Sequence, residues 1–281
     1  MTGSSECGRA CTPGVSAGRE RRAWEHGPVR LTVVDSFTDR PFTGNPAAVA
    51  IVDAFPDEEC MRLIAREMNL SETAFVVPRG DGVYDLRWFT PTVEIDLCGH
   101  ATLAAAHVLG GSAAFDTRSG RLTCRADGGW IEMDFPARVP EEGPIPQLPP
   151  GTPAPVWTGC AHGWWLVELP SARDVVELQP DIAAVAAMGG HALVVTALED
   201  DGSDADVVSR VFAPNVGVPE DPVTGSAHCM LAPYWSARLG RTELLGRQAS
   251  ARGGYVRMRL AGDRVLLGGR AVTVSHVELL A

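Results

Sequence analysis

The chain has 281 residues, and 24 basic against 35 acidic side chains give it a formal net charge of −11. Apolar residues make up 45% of it, which excludes an intrinsically disordered chain. The acidic excess argues against a nucleic-acid-binding module, which carries a basic surface, and no apolar run of about 18 residues predicts a membrane span. The length is typical of two domains.

The seven cysteines are an odd number, scattered through a chain large enough to fold without disulfides. We therefore expect free thiols and a cytoplasmic protein. Cys7 and Cys11 are spaced as C-x3-C, but no second ligand pair follows at zinc spacing, so no metal site is predicted. Residues 1–28 lack the apolar stretch of a signal peptide and are expected to form a disordered leader or to reflect a mis-set start codon.

Ordered structure is expected to begin near Val29. Apolar spacing and turn residues in the first half predict four strands, over Leu31–Asp35, Ala47–Val52, Ala74–Pro78 and Tyr84–Phe89, and one helix, over Asp57–Met68. The proline-rich segment Pro136–Pro155 has few periodic apolar residues and is typical of a linker.

Three landmarks of the first half recur in the second half in the same order. Arg87-Trp-Phe-Thr-Pro91 is echoed by Arg210-Val-Phe-Ala-Pro214, Cys98-Gly-His-Ala101 by Thr224-Gly-Ser-Ala227, and Gly129–Phe135 by Gly254–Leu260. Repeats this long imply two similar domains about a pseudo-twofold axis. We predict halves over residues 29–140 and 141–270, and a terminal strand over 271–281 that could return to the first half.

Each half contains a helix that opens directly after a glycine. The first, Ala101–Leu109, is apolar nearly all round, so other structure must enclose it. The second runs from Ala227 towards Leu239 and contains Pro233, which predicts a kink or a late start. Because strand-like segments surround these helices, we predict an α+β fold in which each half wraps a curved, mostly antiparallel sheet or barrel around a central helix.

The two glycine turns are where we expect a ligand. Gly99 and Gly225 each stand at a helix N-terminus, where unpaired N–H groups and the helix dipole favour an anion. A small carboxylate is the expected guest. No phosphate-loop lysine and no G-x-G-x-x-G motif accompanies either turn, which disfavours a nucleotide.

Residues able to move protons lie close to these turns in the sequence. Glu72 is flanked by apolar residues, which favours acid/base work near neutral pH, although it could be a solvated charge. His100, Asp221 and Ser226 are further candidates, although each has a structural alternative. His100 could merely bond the backbone at the helix start, Asp221 could be a turn former, and Ser226 could be an N-terminal helix donor. Cys98 is a candidate nucleophile at a helix N-terminus, or simply a small buried residue.

Four motifs in this order resemble the phenazine biosynthesis PhzF-like family, whose members share the diaminopimelate epimerase fold. They are Val34–Pro46, Ser71–Phe75, Cys98–Thr102 and Glu220–His228. The resemblance covers the chain from about Val29 to its C-terminus. It implies two alike halves, a homodimer and an activity that needs no cofactor.

The resemblance also assigns roles to residues. Glu72 would transfer the proton, while His100 and Asp221 would bind or polarise the substrate. The substrate-binding residues would be Ser71, Gly99, Gly225, Ser226 and Asn45.

The epimerase relatives of this family use two opposed cysteines, one from each half. This chain has Cys98 at the first place, but Val223 or Pro222 at the second. The departure makes racemisation by two thiols a poor prediction.

Together these features predict a cofactor-independent isomerase. It would move a proton, and with it a double bond, on a small unsaturated or cyclic amino- or hydroxy-carboxylic acid, in a biosynthetic pathway such as antibiotic tailoring. One alternative is an epimerase or racemase in which Cys98 and Glu72 act from opposite faces. Another is a non-catalytic protein that binds small acids. None of these involves a nucleic acid or a membrane.

Overall fold

A computed structural model of the chain describes residues 28–280. The expected leader, apart from Pro28, and the Cys7–Cys11 pair therefore lie outside the described residues. The first half contains, in order, β1 (Val29–Ser36), β2 (Asn45–Ile51), α1 (Glu58–Met68), β3 (Glu72–Gly80), β4 (Val83–Phe89), β5 (Glu94–Ile95), α2 (Gly99–Val108), β6 (Ala113–Thr117), β7 (Gly120–Asp127) and β8 (Trp130–Pro136).

The rest of the chain contains a similar series of elements. In order, they are β9 (Glu141–Glu142), β10 (Trp157–Ala161), β11 (Trp164–Glu168), α3 (Ala172–Glu177), α4 (Ile182–Ala187), β12 (Ala192–Leu198), β13 (Val207–Ala213), β14 (Val218–Asp221), α5 (Gly225–Leu239), β15 (Glu243–Gln248), β16 (Gly254–Ala261), β17 (Arg264–Gly269) and β18 (Ala271–Leu279). None of the helices among residues 28–280 is long and apolar enough to cross a membrane.

The first helix has the ends that its sequence predicts. The Asp57 side chain accepts a hydrogen bond from the Cys60 N–H at 2.7 Å, which caps the first turn of α1. Asn69 ends the helix in the left-handed conformation, with φ of 49°. The buried face of Met61 and Ala65 joins a cluster that includes Phe75 of β3. The helix predicted over Asp57–Met68 is confirmed.

Strand pairing follows the same pattern in the two halves. β1–β2, β3–β4, β6–β7 and β7–β8 are antiparallel, whereas β2–β3 and β4–β6 are parallel. The series β10 to β17 repeats each of these pairings in the same order. The predicted α+β fold with two pseudo-symmetric halves is confirmed.

Three strand pairings link the sheets of the two halves. β8 pairs with β17, β18 pairs with β1 along its whole length, and β9 pairs with β10. A strand that follows the last strand of one half therefore completes the sheet of the other half.

The first landmark of the repeat has an identical structural role in each half. Nε of Arg87 lies 2.7 Å from a Glu94 carboxylate oxygen, and Nε of Arg210 lies 2.7 Å from Glu220. The two glutamates are on β5 and β14. Each guanidinium also lies over the phenylalanine two residues further along, at 5.2 and 4.9 Å from the ring centroid. The match between these segments is therefore structural.

The third correspondence predicted between the halves is wrong. Residues 129–135 lie mostly in β8 and residues 254–260 lie in β16, but counted from the central helix β8 corresponds to β17, and β16 corresponds to β7. A glycine followed by alternating apolar residues is typical of any hairpin strand, so the sequence match joined two strands that are not equivalent.

The central helices are enclosed as predicted. In α2 every residue from His100 to Ala106 is buried, and in α5 burial is continuous from Ala227 to Ser236. The late start predicted from Pro233 is wrong, because α5 runs unbroken from Gly225. Pro233 has no N–H to offer the carbonyl of Cys229, and that carbonyl accepts instead from the Arg138 N–H at 3.0 Å.

Candidate active site

The N-termini of α2 and α5 meet. A Cβ atom placed on Gly99 would lie 3.5 Å from the Cα of Gly225, and one placed on Gly225 would lie 3.6 Å from the Cα of Gly99. The two glycine turns are therefore in van der Waals contact. The ring of Phe37 is fully buried and packs against Gly225, with its Cζ 3.7 Å from the Cβ position of that glycine. The backbone φ of Phe37 is 63°.

These two helices differ from the other three α-helices of residues 28–280 at their N-termini. Asp57, Ser171 and Asp181 cap α1, α3 and α4 with side-chain hydrogen bonds. The corresponding residues of α2 and α5, Cys98 and Thr224, make no such bond. The first amides of both helices are therefore free of a side-chain cap where the helices converge, which suits an anionic ligand.

A cavity of about 460 Å³ opens beside this junction and takes its walls from both halves. Most of its lining is apolar, which is usual for a small-molecule site. Its polar and glycine residues are Ser71, Glu72, Thr90, Gly99, His100, Arg138, Asp221, Thr224, Gly225 and Ser226. Seven of the eight sequence-predicted site residues are in this lining, and Asn45 is the exception.

Glu72, the first residue of β3, faces His100, the second residue of α2. Glu72 Oε2 lies 2.8 Å from His100 Nε2, and only 15% of the Glu72 side chain is exposed. The sequence alternative of a solvated carboxyl group is therefore wrong. Both atoms are buried, and within residues 28–280 neither has a polar partner besides the other.

The imidazole of His100 stands between this carboxylate and the Cys98 thiol. Cys98 Sγ lies 3.5 Å from His100 Nδ1. Burial raises the pKa of the Cys98 thiol, and the Glu72 carboxylate raises it further, so the thiol is neutral at pH 7. Burial opposes the charged imidazole, but the negative charge of Glu72 outweighs burial and holds the pKa of His100 well above its usual value. His100 is thus an imidazolium beside Glu72.

Asp221, the last residue of β14, brings a second carboxylate into the site. Its Oδ1 accepts from Asn45 Nδ2 at 2.8 Å, and its Oδ2 accepts from the Thr224 hydroxyl. Burial raises the pKa of Asp221 to about 6, against the opposing influence of His100 and these hydrogen bonds. The carboxyl group therefore titrates close to neutral pH.

Asn45 lies behind the cavity wall and ties the two halves together. Its amide nitrogen also donates to the Val223 carbonyl at 2.9 Å, and its Oδ1 accepts from Ser71 Oγ at 3.1 Å. Asn45 thus holds Ser71 of one half and Asp221 of the other, without lining the cavity itself. This geometry is that of a positioning residue, which differs from the substrate contact expected from the sequence.

Four further polar residues at or behind the cavity wall are not among the predicted ones: Thr90, Arg138, Thr224 and Gln248. Gln248 donates to the Asp221 carbonyl at 2.7 Å and accepts from the Thr224 N–H at 2.9 Å, so it fixes the second glycine turn. Thr224 lies within the Glu220–His228 motif, directly before Gly225. Arg138 lies in the proline-rich linker, where no periodic pattern draws attention to it.

Glu72, Cys98 and His100 each have one potential ligand atom in this cluster. These three atoms lie within 4.8 Å of one another, close enough to approach a shared metal ion. However, the imidazole turns one nitrogen to the thiol and the other to the carboxylate, and it can offer a single ion only one of them. This arrangement suits a proton relay better. The sequence also contains no lysine, so no side-chain amine could form a Schiff base.

Comparison with known proteins agrees with this architecture. The family model of phenazine biosynthesis-like proteins, PhzC-PhzF, matches residues 34–277. An uncharacterized isomerase of Halalkalibacterium halodurans is 46% identical over 261 residues, which cover 89% of this chain and 98% of that protein. The crystal structure of a PhzF-family protein from Enterococcus faecalis is 38% identical with a TM-score of 0.84, covering 90% of this chain and 100% of that one.

A more distant structure shares the fold alone. A hydroxyproline epimerase from Agrobacterium vitis aligns with a TM-score of 0.60 at 12% identity, covering 91% of this chain and 93% of that one. The match to the family model extends over most of the sequence and includes both glycine turns. This chain belongs to the phenazine biosynthesis-like (PhzC-PhzF) family.

Proposed function

We propose that this protein is a cofactor-independent isomerase that moves a proton between two carbons of a small unsaturated or cyclic amino- or hydroxy-carboxylic acid. One observation carries the proposal: Glu72 Oε2 lies 2.8 Å from His100 Nε2, in a cavity where two uncapped helix N-termini meet. The isomerase name of the Halalkalibacterium halodurans relative supports the same reaction class.

The substrate carboxylate would bind at the amides of the Gly99 and Gly225 turns. These fixed dipoles also stabilise negative charge that develops during reaction, an effect worth a few kcal/mol at such sites. The Glu72 carboxylate removes a proton from a C–H bond adjacent to the conjugated system, and the electron pair moves into that system. Glu72 then returns the proton to another carbon, so the double bond shifts and the composition is unchanged.

His100 and Asp221 would complete the reaction site. The His100 imidazolium lies 2.8 Å from the Glu72 carboxyl group and holds that group in place. Asp221, with a pKa of about 6, can exchange hydrogen bonds with an amino or hydroxyl substituent.

The epimerase alternative is disfavoured by distance. Two groups that reach one carbon from opposite faces, each at about 3–3.5 Å, stand about 6–7 Å apart. The relevant atoms of Cys98, His100 and Glu72 lie within 4.8 Å of one another, which is too close for such an arrangement. The raised pKa of Cys98 also makes its thiol a poor base.

Deuterium incorporation tests the proposal. Unsaturated cyclic amino acids, beginning with 3,4-dehydroproline, are incubated with the protein in D2O and followed by NMR. We expect deuterium to enter at two carbons, with the double bond shifted. Glu72→Gln, which keeps the shape but cannot accept the proton, should slow entry by about 10³-fold. Cys98→Ser is the matched control and should retain the rate within about tenfold.

Three outcomes contradict this function. Loss of exchange in Cys98→Ser with inversion at a single carbon would support the epimerase. Exchange unaffected by Glu72→Gln would remove the proposed base. Binding of these acids without exchange would support a non-catalytic protein.

The cellular setting is also part of the proposal. The five described cysteines are free thiols, which fits a cytoplasmic protein. A homodimer and a step in antibiotic biosynthesis rest on the family resemblance alone. Light scattering of the purified protein tests the dimer, because a monomeric mass would contradict it.

A further inference from the structure

The cavity contains a cation that the proposed proton transfer does not use. Arg138 is the one arginine in the lining, and no carboxylate among residues 28–280 lies within 4.0 Å of its guanidinium. Most arginines of the described chain form such a pair, as Arg87 and Arg210 do. Arg138 is partly exposed, so water can solvate its charge, but a ligand that fills the cavity and displaces this water would have to supply the opposite charge.

Within the described part of the chain, the Arg138 guanidinium donates no hydrogen bond. Its guanidinium carbon lies 5.8 Å from the ring centroid of Trp164, so the aromatic ring holds the cation through its face. Stacking of this kind does not use the N–H donors at the rim of the guanidinium. Those donors match the two oxygens of a carboxylate in a bidentate pair.

The position of Arg138 is fixed by the backbone. Its N–H donates to the Cys229 carbonyl at 3.0 Å, the group that Pro233 leaves without a partner. Cys229 also lines the cavity and lies four residues beyond Gly225 on α5, which corresponds to about 6 Å along the helix. The backbone of Arg138 therefore lies about one helical turn from the glycine turn where the first carboxylate is expected, and its side chain lines the same cavity.

We propose that Arg138 binds a second anionic group of the substrate, a carboxylate in the simplest case, so that the site takes dicarboxylic acids in preference to monocarboxylic ones. The inference rests on the proposed function for the first carboxylate and adds the substrate class to it. The apolar lining contacts the carbon chain or ring between the two anionic ends. Trp164 keeps the guanidinium edge turned to the ligand.

Binding of simple acids tests this inference. The linear dicarboxylates from malonate to pimelate are titrated calorimetrically at pH 7, each beside the monocarboxylate of the same chain length. We expect at least one dicarboxylate to bind wild-type protein at least tenfold more tightly than its monocarboxylate. Arg138→Gln should reduce that preference to threefold or less, because it removes the charge and the bidentate edge.

A matched control accounts for the loss of one positive charge. Arg125 on β7 is exposed and forms no ion pair among the described residues, so Arg125→Gln makes the same change outside the cavity. It should leave the preference for dicarboxylates unchanged. The backbone bond from residue 138 to Cys229 persists in Arg138→Gln, and its unfolding curve should match that of Arg125→Gln.

Two results overturn the inference: no dicarboxylate preference in wild-type protein, whether or not any of these acids binds, or a preference that survives Arg138→Gln. Failure of the proposed function is a separate result. If no acid exchanges deuterium but the preference depends on Arg138, the isomerase is lost and the second anion site stands. If exchange depends on Glu72 but Arg138 has no effect on preference, the reverse holds.

Discussion

The two halves of the molecule repeat one backbone but carry different chemistry at equivalent places. The parallel pair β2–β3 begins with Ala47 opposite Glu72, and the equivalent pair β11–β12 begins with Trp164 opposite Ala192. The second half thus has an alanine where the first half has its carboxylate, and a large aromatic ring across from it.

The glycine turns differ in the same way. His100 follows the glycine of α2, whereas Ser226 follows the glycine of α5. The shared backbone brings two sets of helix amides to one point, which the symmetric architecture requires. Glu72 and His100, the pair proposed to transfer the proton, both belong to the first half. The symmetric backbone therefore serves binding, while these asymmetric side chains would determine where the proton goes.

The largest effect that distinguishes the halves should come from the two residues after the glycines. His100→Gln removes the cation beside Glu72 and should lower kcat for deuterium exchange by about 10²-fold, with KM little changed. Ser226→Ala removes a hydrogen-bond donor to the ligand and should raise KM by about tenfold, with kcat little changed. Equal effects of both variants on kcat would contradict the division of roles.

A smaller difference concerns stability in acid. Thr102 and His228 each bond the carbonyl of the residue that precedes their helix, at 2.5 and 2.8 Å. Burial lowers the pKa of His228 to about 4. As the pH falls through 6.5, the unfolded chain binds a proton that the folded protein excludes, so stability is lost on acidification.

The variant His228→Thr copies the first half into the second. Between pH 7 and pH 5, wild-type protein should lose about 2 kcal/mol more unfolding free energy than this variant. Urea unfolding at the two pH values measures the difference. His276→Gln, at an exposed position, is the control and should follow the wild-type protein. A pH dependence in His228→Thr equal to that of wild-type protein would refute the prediction.

The smallest expected effect is that of Asp221 on stability, whose dependence on pH has the opposite sign to that of His228. Burial raises the pKa of Asp221 to about 6, above the value near 3.9 of an unfolded chain. The folded protein therefore holds an extra proton between these values, and its stability falls as the pH rises through them. From pH 5 to pH 7, wild-type protein should lose about 1 kcal/mol relative to Asp221→Asn. Urea unfolding in which the difference stays constant with pH would count against it.

The parts of the site that could be predicted from sequence lie in short, ungapped motifs. Glu72, His100, Asp221 and Ser226 each stand within four residues of a glycine turn or a strand start that the pattern identifies. Asn45 belongs to the Val34–Pro46 motif, but its position behind the cavity wall depends on a contact with Val223 in the other half. A single sequence does not contain that distance.

Other features could not be predicted for physical reasons. The strands Ala192–Leu198 and Val207–Ala213 are buried on both faces, so they lack the alternation that reveals a half-exposed strand. Arg138 reaches the cavity because its N–H satisfies a carbonyl that a proline leaves open far along the chain. Such a pairing follows from tertiary structure and leaves no local pattern.

Because the last strand of the chain completes the sheet of the first half, the protein cannot be divided into two independent halves. β18 supplies an edge to the first sheet, and it pairs with β1 from Val29 to Ser36. Neither half expressed alone would possess a complete sheet, and each would present an unpaired edge prone to aggregation. The strand pairings between the halves also limit how far the halves can separate as independent lobes.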